Sequence, residues 1–347
     1  AGLTDVMTKT PEPNLCFISG LAAGVEVAQV AATAAFQGFV KSARSRFDFI
    51  VINAASVENC ADAGMLGASE SLTVLTARDA EAPHWNPVIY QRDDGVILLF
   101  YKVGKSIKKW STHVRTSRDN GATWSDCREL VPGDISRGPV RCKVLTLSNG
   151  AMLAGTSTED GIWKSYADSS CDGGETWNLS RAITISAPYQ GGNTAPDSGI
   201  QVSDQSFYGR GIIQPTLWES EPGTVHMLLR SSEGSIYRAD SRNYGKTWSD
   251  AYQTALPNNN SGIDVAKCAD GTLVLCSTPV AENWGPRTPL TLQVSADNGQ
   301  TWTESAVLEN IPGEYSYPCV VCSGTKLYVT YTYDRKSIAF WEFDLEQ

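Results

Sequence analysis

Short apolar runs separated by small clusters of turn-forming residues recur along most of this chain. Asp94-Gly95 lies between two such runs, Val88–Gln91 and Val96–Phe100, and Asn149-Gly150 occupies the same place in a later pair. Asp-Gly or Asn-Gly between apolar runs is the strongest local signal for a β-hairpin. The runs have the length of strands, and Gly, Asn, Asp and Ser bound them. The pattern therefore predicts an all-β protein.

One octapeptide, Ser-x-Asp-x-Gly-x-Thr-Trp, interrupts this pattern four times. Its copies begin at Ser117, Ser170, Ser241 and Ser295, and the third has Asn243 in place of Asp. Ser and Asp side chains bind nearby backbone N–H groups in tight turns. Gly supplies the left-handed conformation that such a turn needs, and Trp buries a large ring. We therefore predict four equivalent turns, each anchored by its Trp between neighbouring sheets.

The spacing of the copies predicts one four-stranded sheet per repeat, as in the blades of a β-propeller. The first strands of five blades are expected near Pro87, Pro139, Gln214, Ile263 and Pro318. The stretch Ala32–Asn53 is expected to supply a sixth, and Ser337–Phe343 to be a closing strand that completes a blade with the N-terminus. The sequence thus predicts a single domain, residues 1–347, folded as a six-bladed β-propeller with Asp-box turns.

Composition narrows the range of functions. The net charge is −10, so a basic stripe for nucleic acid is not expected, and no apolar run is long enough to span a membrane. The three histidines lack metal-ligand spacing, so we expect no metal and no cofactor. The nine cysteines favour secretion, with buried thiols and one or two disulfides. Cys268 and Cys276 flank a turn and are one candidate pair across a hairpin.

The four repeats resemble the Asp-boxes, or BNR repeats, of the sialidase superfamily, over roughly residues 50–343. Further segments resemble its sialidase-like branch: His84–Pro87, Tyr101–Gly104, Gln214–Leu217, Asn260–Asp264, Arg287–Leu290 and Glu314–Pro318. The resemblance implies a propeller that acts on a terminal, acidic sugar of a glycan. It also implies an arginine clamp for the substrate carboxylate, a Tyr nucleophile with a Glu partner, and an Asp acid/base.

Carried over position by position, the resemblance assigns four residues. Arg230 and Arg287 resemble the second and third clamp arginines, Tyr315 the nucleophile, and Asp62 the acid/base. The first arginine has no counterpart around Ala32–Phe36. The position expected for the assisting Glu, near Ile212, is apolar, and the possible substitutes are Glu314, Glu219 and Asp264.

The residue types support this chemistry independently of the family. A guanidinium binds a carboxylate through two parallel hydrogen bonds, which would select an acidic sugar. Polar and aromatic residues at the starts of inner strands would face the same ligand. Besides Arg230 and Arg287, the expected substrate-binding residues are Asn86, Gln214, Asp264, Trp85 and Tyr317.

Three functions remain open from the sequence. The first is an exo-glycosidase with Tyr315 or a nearby acid as nucleophile and Asp62 as acid/base, in which Glu314 is a candidate assisting carboxylate. The second is a non-catalytic carbohydrate-binding propeller, or lectin, that kept the clamp. The third is a lyase acting on uronic-acid glycans, with Tyr or His as its base. All three predict a glycan partner, and none needs a metal.

Overall fold

The computed structural model describes residues 7–9, 16–18, 82–185 and 208–345. The chain divides into two compact units, Ala1–Ala80 and Glu81–Gln347. In the first, strand β1 (Met7–Lys9) pairs antiparallel with β2 (Cys16–Ile18). The predicted sixth blade, Ala32–Asn53, and Asp62 lie outside the described residues. Among those residues, no helix is both long enough and apolar enough to cross a membrane.

The second unit confirms the all-β prediction. Its strands form five antiparallel groups, named here S1 to S5. S1 comprises β3 (His84–Gln91), β4 (Ile97–Val103), β5 (Ser111–Ser117) and β6 (Arg128–Glu129). S2 comprises β7 (Leu145–Thr146), β8 (Met152–Thr158), β9 (Ile162–Ser170) and β10 (Asn178–Leu179), and S3 comprises β11 (Arg210–Glu221), β12 (Thr224–Ser231), β13 (Ser235–Ser241) and β14 (Tyr252–Pro257). S4 comprises β15 (Asp264–Lys267), β16 (Leu273–Ser277), β17 (Leu290–Ser295) and β18 (Thr303–Glu309), and S5 comprises β19 (Tyr315–Ser323), β20 (Lys326–Tyr333) and β21 (Ser337–Asp344).

One short parallel pairing joins two of these groups, and the last strand of the chain lies at the edge of S5. A parallel pairing of Arg210 and Gly211 with Ile162 and Trp163 joins S2 and S3 into one eight-stranded sheet. The predicted closing strand is present as β21, which pairs along its whole length with β20. Its proposed pairing with the N-terminus involves residues outside the described part of the chain.

Each octapeptide forms the turn between the third and fourth strands of its group, as the sequence predicts. In the second copy, Asp172 Oδ1 accepts hydrogen bonds from Ser170 Oγ (2.8 Å) and Thr176 N (2.9 Å). Trp177 Nε1 donates to Gly174 O at 3.0 Å, which holds the indole ring against the turn. In the first copy, equivalent bonds from Thr123 and Ser117 lower the pKa of Asp119 to about 2. The motif is therefore a self-contained turn, stabilised within eight residues.

Consecutive groups pack on each other through apolar faces. Met227 and Leu229 of β12 face S2, whereas Leu228 between them faces S4. Because side chains alternate along a strand, a strand with a sheet packed on each side has both its faces buried. This explains why β12 is buried along almost its whole length.

A disulfide adds a covalent link between two groups. Cys268, after β15 of S4, is bonded to Cys322 of β19 in S5. The candidate pair Cys268–Cys276 is therefore wrong. The β15–β16 register sets Cys276 opposite Asp264, at the other end of the hairpin from Cys268. Cys276 is a free, buried thiol.

One buried carboxylate joins the first strands of S3, S4 and S5 and the segment that precedes S2. Asp264 of S4 is 1% exposed. Its oxygens accept hydrogen bonds from Thr216 Oγ1 of S3 (2.7 Å), from Val320 N of S5 (2.7 Å) and from Lys143 Nζ, next to S2. The carboxylate thus fixes the positions of these strands relative to one another.

The packing of the third octapeptide on S2 predicts unequal effects of two identical substitutions. Gly245 (φ +77°) and Gly150 (φ +82°) both have left-handed backbones, so Ala at either position costs about 1–2 kcal/mol. A Cβ at Gly245 would also lie 2.8 Å from Cδ2 of the buried Leu153, whereas one at Gly150 meets nothing within 4 Å. We expect Gly245→Ala to reduce the free energy of unfolding by about 1–3 kcal/mol more than Gly150→Ala. Equal losses in denaturant titrations would contradict this packing.

The position of Asp264 predicts that its substitution damages the fold. Asp264→Asn should lower the free energy of unfolding by about 3–5 kcal/mol. Lys143 would lose its negatively charged partner, and the NH2 group of the new amide could face the Val320 N–H, so that two donors oppose each other. The matched control is Asp93→Asn at an exposed position, for which we expect a change within about 0.5 kcal/mol. A stable Asp264→Asn protein that has lost glycan binding would show instead that this carboxylate contacts ligand.

Candidate functional site

The first strands of several groups begin with an unusual backbone. Asn86 (φ +49°), Gln214 (φ +53°) and Tyr317 (φ +54°) have left-handed conformations, and each precedes a proline. A register shift follows each of them in the pairing with the second strand. Arg141, before β7, has φ +68°. Left-handed conformations are costly for residues other than glycine and tend to cluster at functional sites.

Three of these residues line a common cavity. Its volume is about 320 Å³, and residues of S1 and S5 and the segment that leads into S2 surround it. The lining residues are Asn86, Pro87, Val88, Ile89, Arg141, Lys143, Tyr317, Pro318 and Cys319. Segments that are distant in sequence therefore meet at one concave surface, which two of the expected site residues, Asn86 and Tyr317, line.

Arg230, at the end of β12, is 5% exposed and is held by neutral groups. Its Nε donates to Asn260 Oδ1 (2.9 Å) and its Nη1 to Gln214 Oε1 (3.0 Å). Burial, together with the like charges of Arg287 and Arg141, lowers the pKa of Arg230 to about 10. The group is still a cation at neutral pH, so a buried positive charge lies at the site.

Arg287 is 4% exposed and is held by a carboxylate. Its Nη1 donates to Glu314 Oε1 at 2.8 Å, and its guanidinium carbon lies 5.6 Å from the centre of the Tyr317 ring. Glu314 Oε1 also accepts from Ser316 Oγ (2.8 Å) and pairs with Arg335 Nε (3.2 Å). The structure therefore places Glu314, which we expected to assist Tyr315, against Arg287, where it fixes the guanidinium over Tyr317.

Tyr315 and Tyr317 face different surroundings. Tyr315 is 2% exposed and packs against Tyr331 and Tyr333, with ring centres 6.4 and 5.1 Å away. Burial and a hydrogen bond with Tyr333 raise the pKa of Tyr315. Residues two apart share a face of a regular strand, but the left-handed backbone at Tyr317 and the register shift after Ser316 break that alternation.

Tyr317 is the tyrosine that lies beside the arginines. Burial acts to raise its pKa, but the charges of Arg287, Arg230 and Arg335 and a hydrogen bond with Arg287 outweigh this and lower it. The ring is 37% exposed. Tyr317 was expected to bind substrate, and its surroundings also suit a nucleophile, because a lowered pKa makes it easier for the phenol to lose its proton as it attacks.

The other expected residues have varied positions. Gln214 is buried against Arg230, and Asn86 lines the cavity. Trp85 is exposed, donates through Nε1 to Gly104 O (3.1 Å) and packs edge-on against Trp110. Asp264 is saturated by the contacts between groups described above, and Glu219 binds Ser148 and Gly223 at a turn.

Arg141 is a site residue that the sequence analysis missed. Its Nη1 donates to Pro318 O (2.9 Å) and its Nη2 to Ile263 O, so it joins S4 and S5 to the segment before S2. Its Nε is buried and has no hydrogen-bond partner within the described part of the chain. A Cβ at Gly262 would lie 3.2 Å from the Arg141 guanidinium carbon and 3.3 Å from the Tyr317 ring, so the missing side chain makes room for both. Aligning the strand starts would have placed Arg141 level with Gln214 and Tyr317.

The chemistry available at the site comes from side chains. Within residues 82–185 and 208–345, no group of three or more His, Cys, Asp or Glu residues is arranged to hold a metal ion. The arrangement combines a buried cation with neutral partners, a cation fixed by a carboxylate, and a tyrosine of lowered pKa between them. It can bind a carboxylate and place it next to a nucleophilic oxygen.

Solved structures with a similar fold include several sialidases. The Hadza microbial sialidase Hz136 is 18% identical with a TM-score of 0.60, and covers 77% of this chain and 53% of its own. The NanB sialidase of Streptococcus pneumoniae is 14% identical, with a TM-score of 0.56, and the alignment covers 77% of this chain and 56% of NanB. A Dyadobacter fermentans protein of unknown function is 16% identical, with a TM-score of 0.55, and covers 75% of this chain and 74% of its own.

These similarities establish the fold but not an activity. The chain spans about half the length of the sialidases that it matches. No curated protein matches it in sequence. The model of the BNR repeat-like domain matches residues 35–329, which is most of the chain and includes all four octapeptides. The protein therefore belongs to the BNR repeat-like domain family, and its fold is similar to that of the sialidases.

Proposed function

We propose that this protein is a sialidase-like exo-glycosidase that hydrolyses a terminal acidic sugar from a glycan. The observation that carries the proposal is the approach of two buried guanidinium groups, Arg230 and Arg287, to Tyr317. A glycan with a carboxylate beside its anomeric carbon would bring a negative charge to the cations and the anomeric carbon to the tyrosine.

The two arginines would bind the sugar carboxylate. A guanidinium presents N–H donors in a planar fork that matches a carboxylate, and such charge-assisted bonds are strengthened in a buried site. Arg141 adds positive charge nearby, although its Nη groups are bound to backbone carbonyls. A neutral sugar would leave the charge of Arg230 without a partner, so acidic sugars should be preferred.

Tyr317 would be the nucleophile. The phenol oxygen attacks the anomeric carbon and loses its proton to water, while the bond from that carbon to the leaving oxygen breaks and a general acid protonates the leaving group. Water then cleaves the resulting glycosyl–tyrosine bond. A tyrosine suits a substrate whose anomeric carbon carries a carboxylate, because an attacking carboxylate would be repelled. Asp62 is our candidate for the acid, and it lies outside the described residues.

Several observations support the wider proposal. Structures with this fold include named sialidases and a mutant Trypanosoma rangeli sialidase displaying trans-sialidase activity. The family match begins at residue 35, within the stretch expected to form a sixth blade, so we propose a six-bladed propeller. The Cys268–Cys322 disulfide favours an oxidising compartment, and we therefore propose that the protein is secreted.

A carbohydrate-binding protein without catalysis is the second candidate. The observation that favours it concerns the base that a tyrosine nucleophile requires. Within the described residues, the hydrogen-bond partner of the Tyr317 side chain is Arg287, and the nearby Glu314 carboxylate is engaged by Arg287 and Arg335. The clamp could therefore bind an acidic glycan that Tyr317 does not cleave.

Substitution of the two tyrosines tests the proposed nucleophile. With a fluorogenic sialoside, or the acidic glycan that is turned over best, Tyr317→Phe should lower kcat by about 10³-fold or more with little change in KM. Tyr315→Phe is the matched control, because Tyr315 lies two residues away in the core. It should retain kcat and lose thermal stability.

Assays of the wild type distinguish the alternatives. Release of a reducing sugar supports the glycosidase, and binding without release supports the lectin. An increase in ultraviolet absorbance from an unsaturated product would identify the lyase. Full activity of the Tyr317→Phe protein would exclude Tyr317 as the nucleophile.

A further inference from the structure

The buried arginines of the described residues differ in what holds them. Arg137 donates to both oxygens of Asp168, Arg238 donates to Asp240, and Arg287 donates to Glu314. Arg230 is the exception, because its hydrogen bonds go to the amide oxygens of Gln214 and Asn260. Only this cation of the four lacks a hydrogen-bonded carboxylate within the described residues.

We propose that Gln214 and Asn260 determine the charge selectivity of the site, because they orient Arg230 without neutralising it. This inference rests on the proposed function of the site. A carboxylate at either position would make the same hydrogen bond and would also supply the negative charge that the ligand supplies in the wild type. With the two amides as partners, the charge of Arg230 stays uncompensated by them and is available to attract an anionic ligand.

The geometry of the amides supports a specific role in holding Arg230. Asn260 Nδ2 donates to Asn283 Oδ1 (3.0 Å), which turns Asn260 Oδ1 towards Arg230 Nε. Gln214 and Asn260 are both buried and both have left-handed backbones, with φ of +53° and +62°. Such a conformation is unfavourable for glutamine in particular. The fold thus maintains two strained positions to direct neutral oxygens at one guanidinium.

Arg230 also retains donors for a ligand. A guanidinium has five N–H groups, and the bonds to Asn260 and Gln214 use two of them. Glu159 attracts Arg230 electrostatically, whereas the side-chain hydrogen bonds of Arg230 go to Asn260 and Gln214. A carboxylate ligand would supply both the missing hydrogen-bond acceptors and the compensating charge, which is why the wild type should bind an acidic sugar much more tightly than its uncharged ester.

The test compares binding of matched ligands to the full chain. N-acetylneuraminic acid and glucuronic acid are each titrated beside their methyl esters by calorimetry, so that each pair differs in charge at one group. For the wild type, we expect one acid to bind at least about tenfold more tightly than its ester. Asn260→Asp and Gln214→Glu should each reduce affinity for that acid about tenfold or more and leave affinity for the ester within about threefold.

The control is Asn243→Asp, the same chemical change in the third octapeptide turn, where the other copies already have Asp. It should leave both affinities unchanged. Thermal unfolding shows whether each variant is folded. If either Asn260→Asp or Gln214→Glu fails to fold, the other variant is used for the comparison. If the folded variants keep the wild-type preference for acid over ester, the role of the amides is refuted while the site stands. If the wild type itself shows no preference, both this inference and the proposed function are refuted.

Discussion

The arrangement of the site depends on the buried carboxylate of Asp264. It accepts hydrogen bonds from Thr216, from the backbone of Val320 and from Lys143, which belong to or adjoin three other groups of strands. A buried charge is costly unless it is well paired. Movement of any of these partners away from the carboxylate would therefore cost free energy, and this holds them in place. The apolar faces bring neighbouring groups together, but this network fixes the positions of their first strands relative to one another.

Those strand starts are also where the backbone is least regular. Arg141, Gln214 and Tyr317 lie beside the Asp264 network and have left-handed conformations. Such strain persists only where the surrounding structure determines it. The Asp264 network and the bonds from Arg141 to Pro318 and Ile263 provide that support. A rigid junction between sheets thus allows side chains to leave the regular alternation of a strand and meet at one surface.

The sequence predicts those features whose causes are local. The turn bonds of Asp172 and Trp177 close within eight residues, so the repeat alone identifies them and the strands around them. Arg230 and Arg287 were identified through the family pattern. The Cys268–Cys322 bond joins separate sheets and depends on how they pack, which no local pattern encodes. Likewise, the burial of Tyr315 in the core and the position of Tyr317 beside the arginines follow from a bulge that the alternating pattern conceals.

The buried arginines Arg230 and Arg287 show how two neighbouring like charges can be held in different ways. Arg287 is paired with Glu314, and this pairing fixes its guanidinium over Tyr317, where it lowers the pKa of the phenol. Arg230 receives the same directional control from amide oxygens, without loss of charge. If Arg230 also had a carboxylate partner, the charges of both arginines would be compensated within the protein, and an acidic sugar would be attracted less strongly. If neither had one, two buried cations would repel each other without compensation. Pairing only Arg287 limits this repulsion and leaves the charge of Arg230 uncompensated, which supports the proposed binding of a carboxylate ligand.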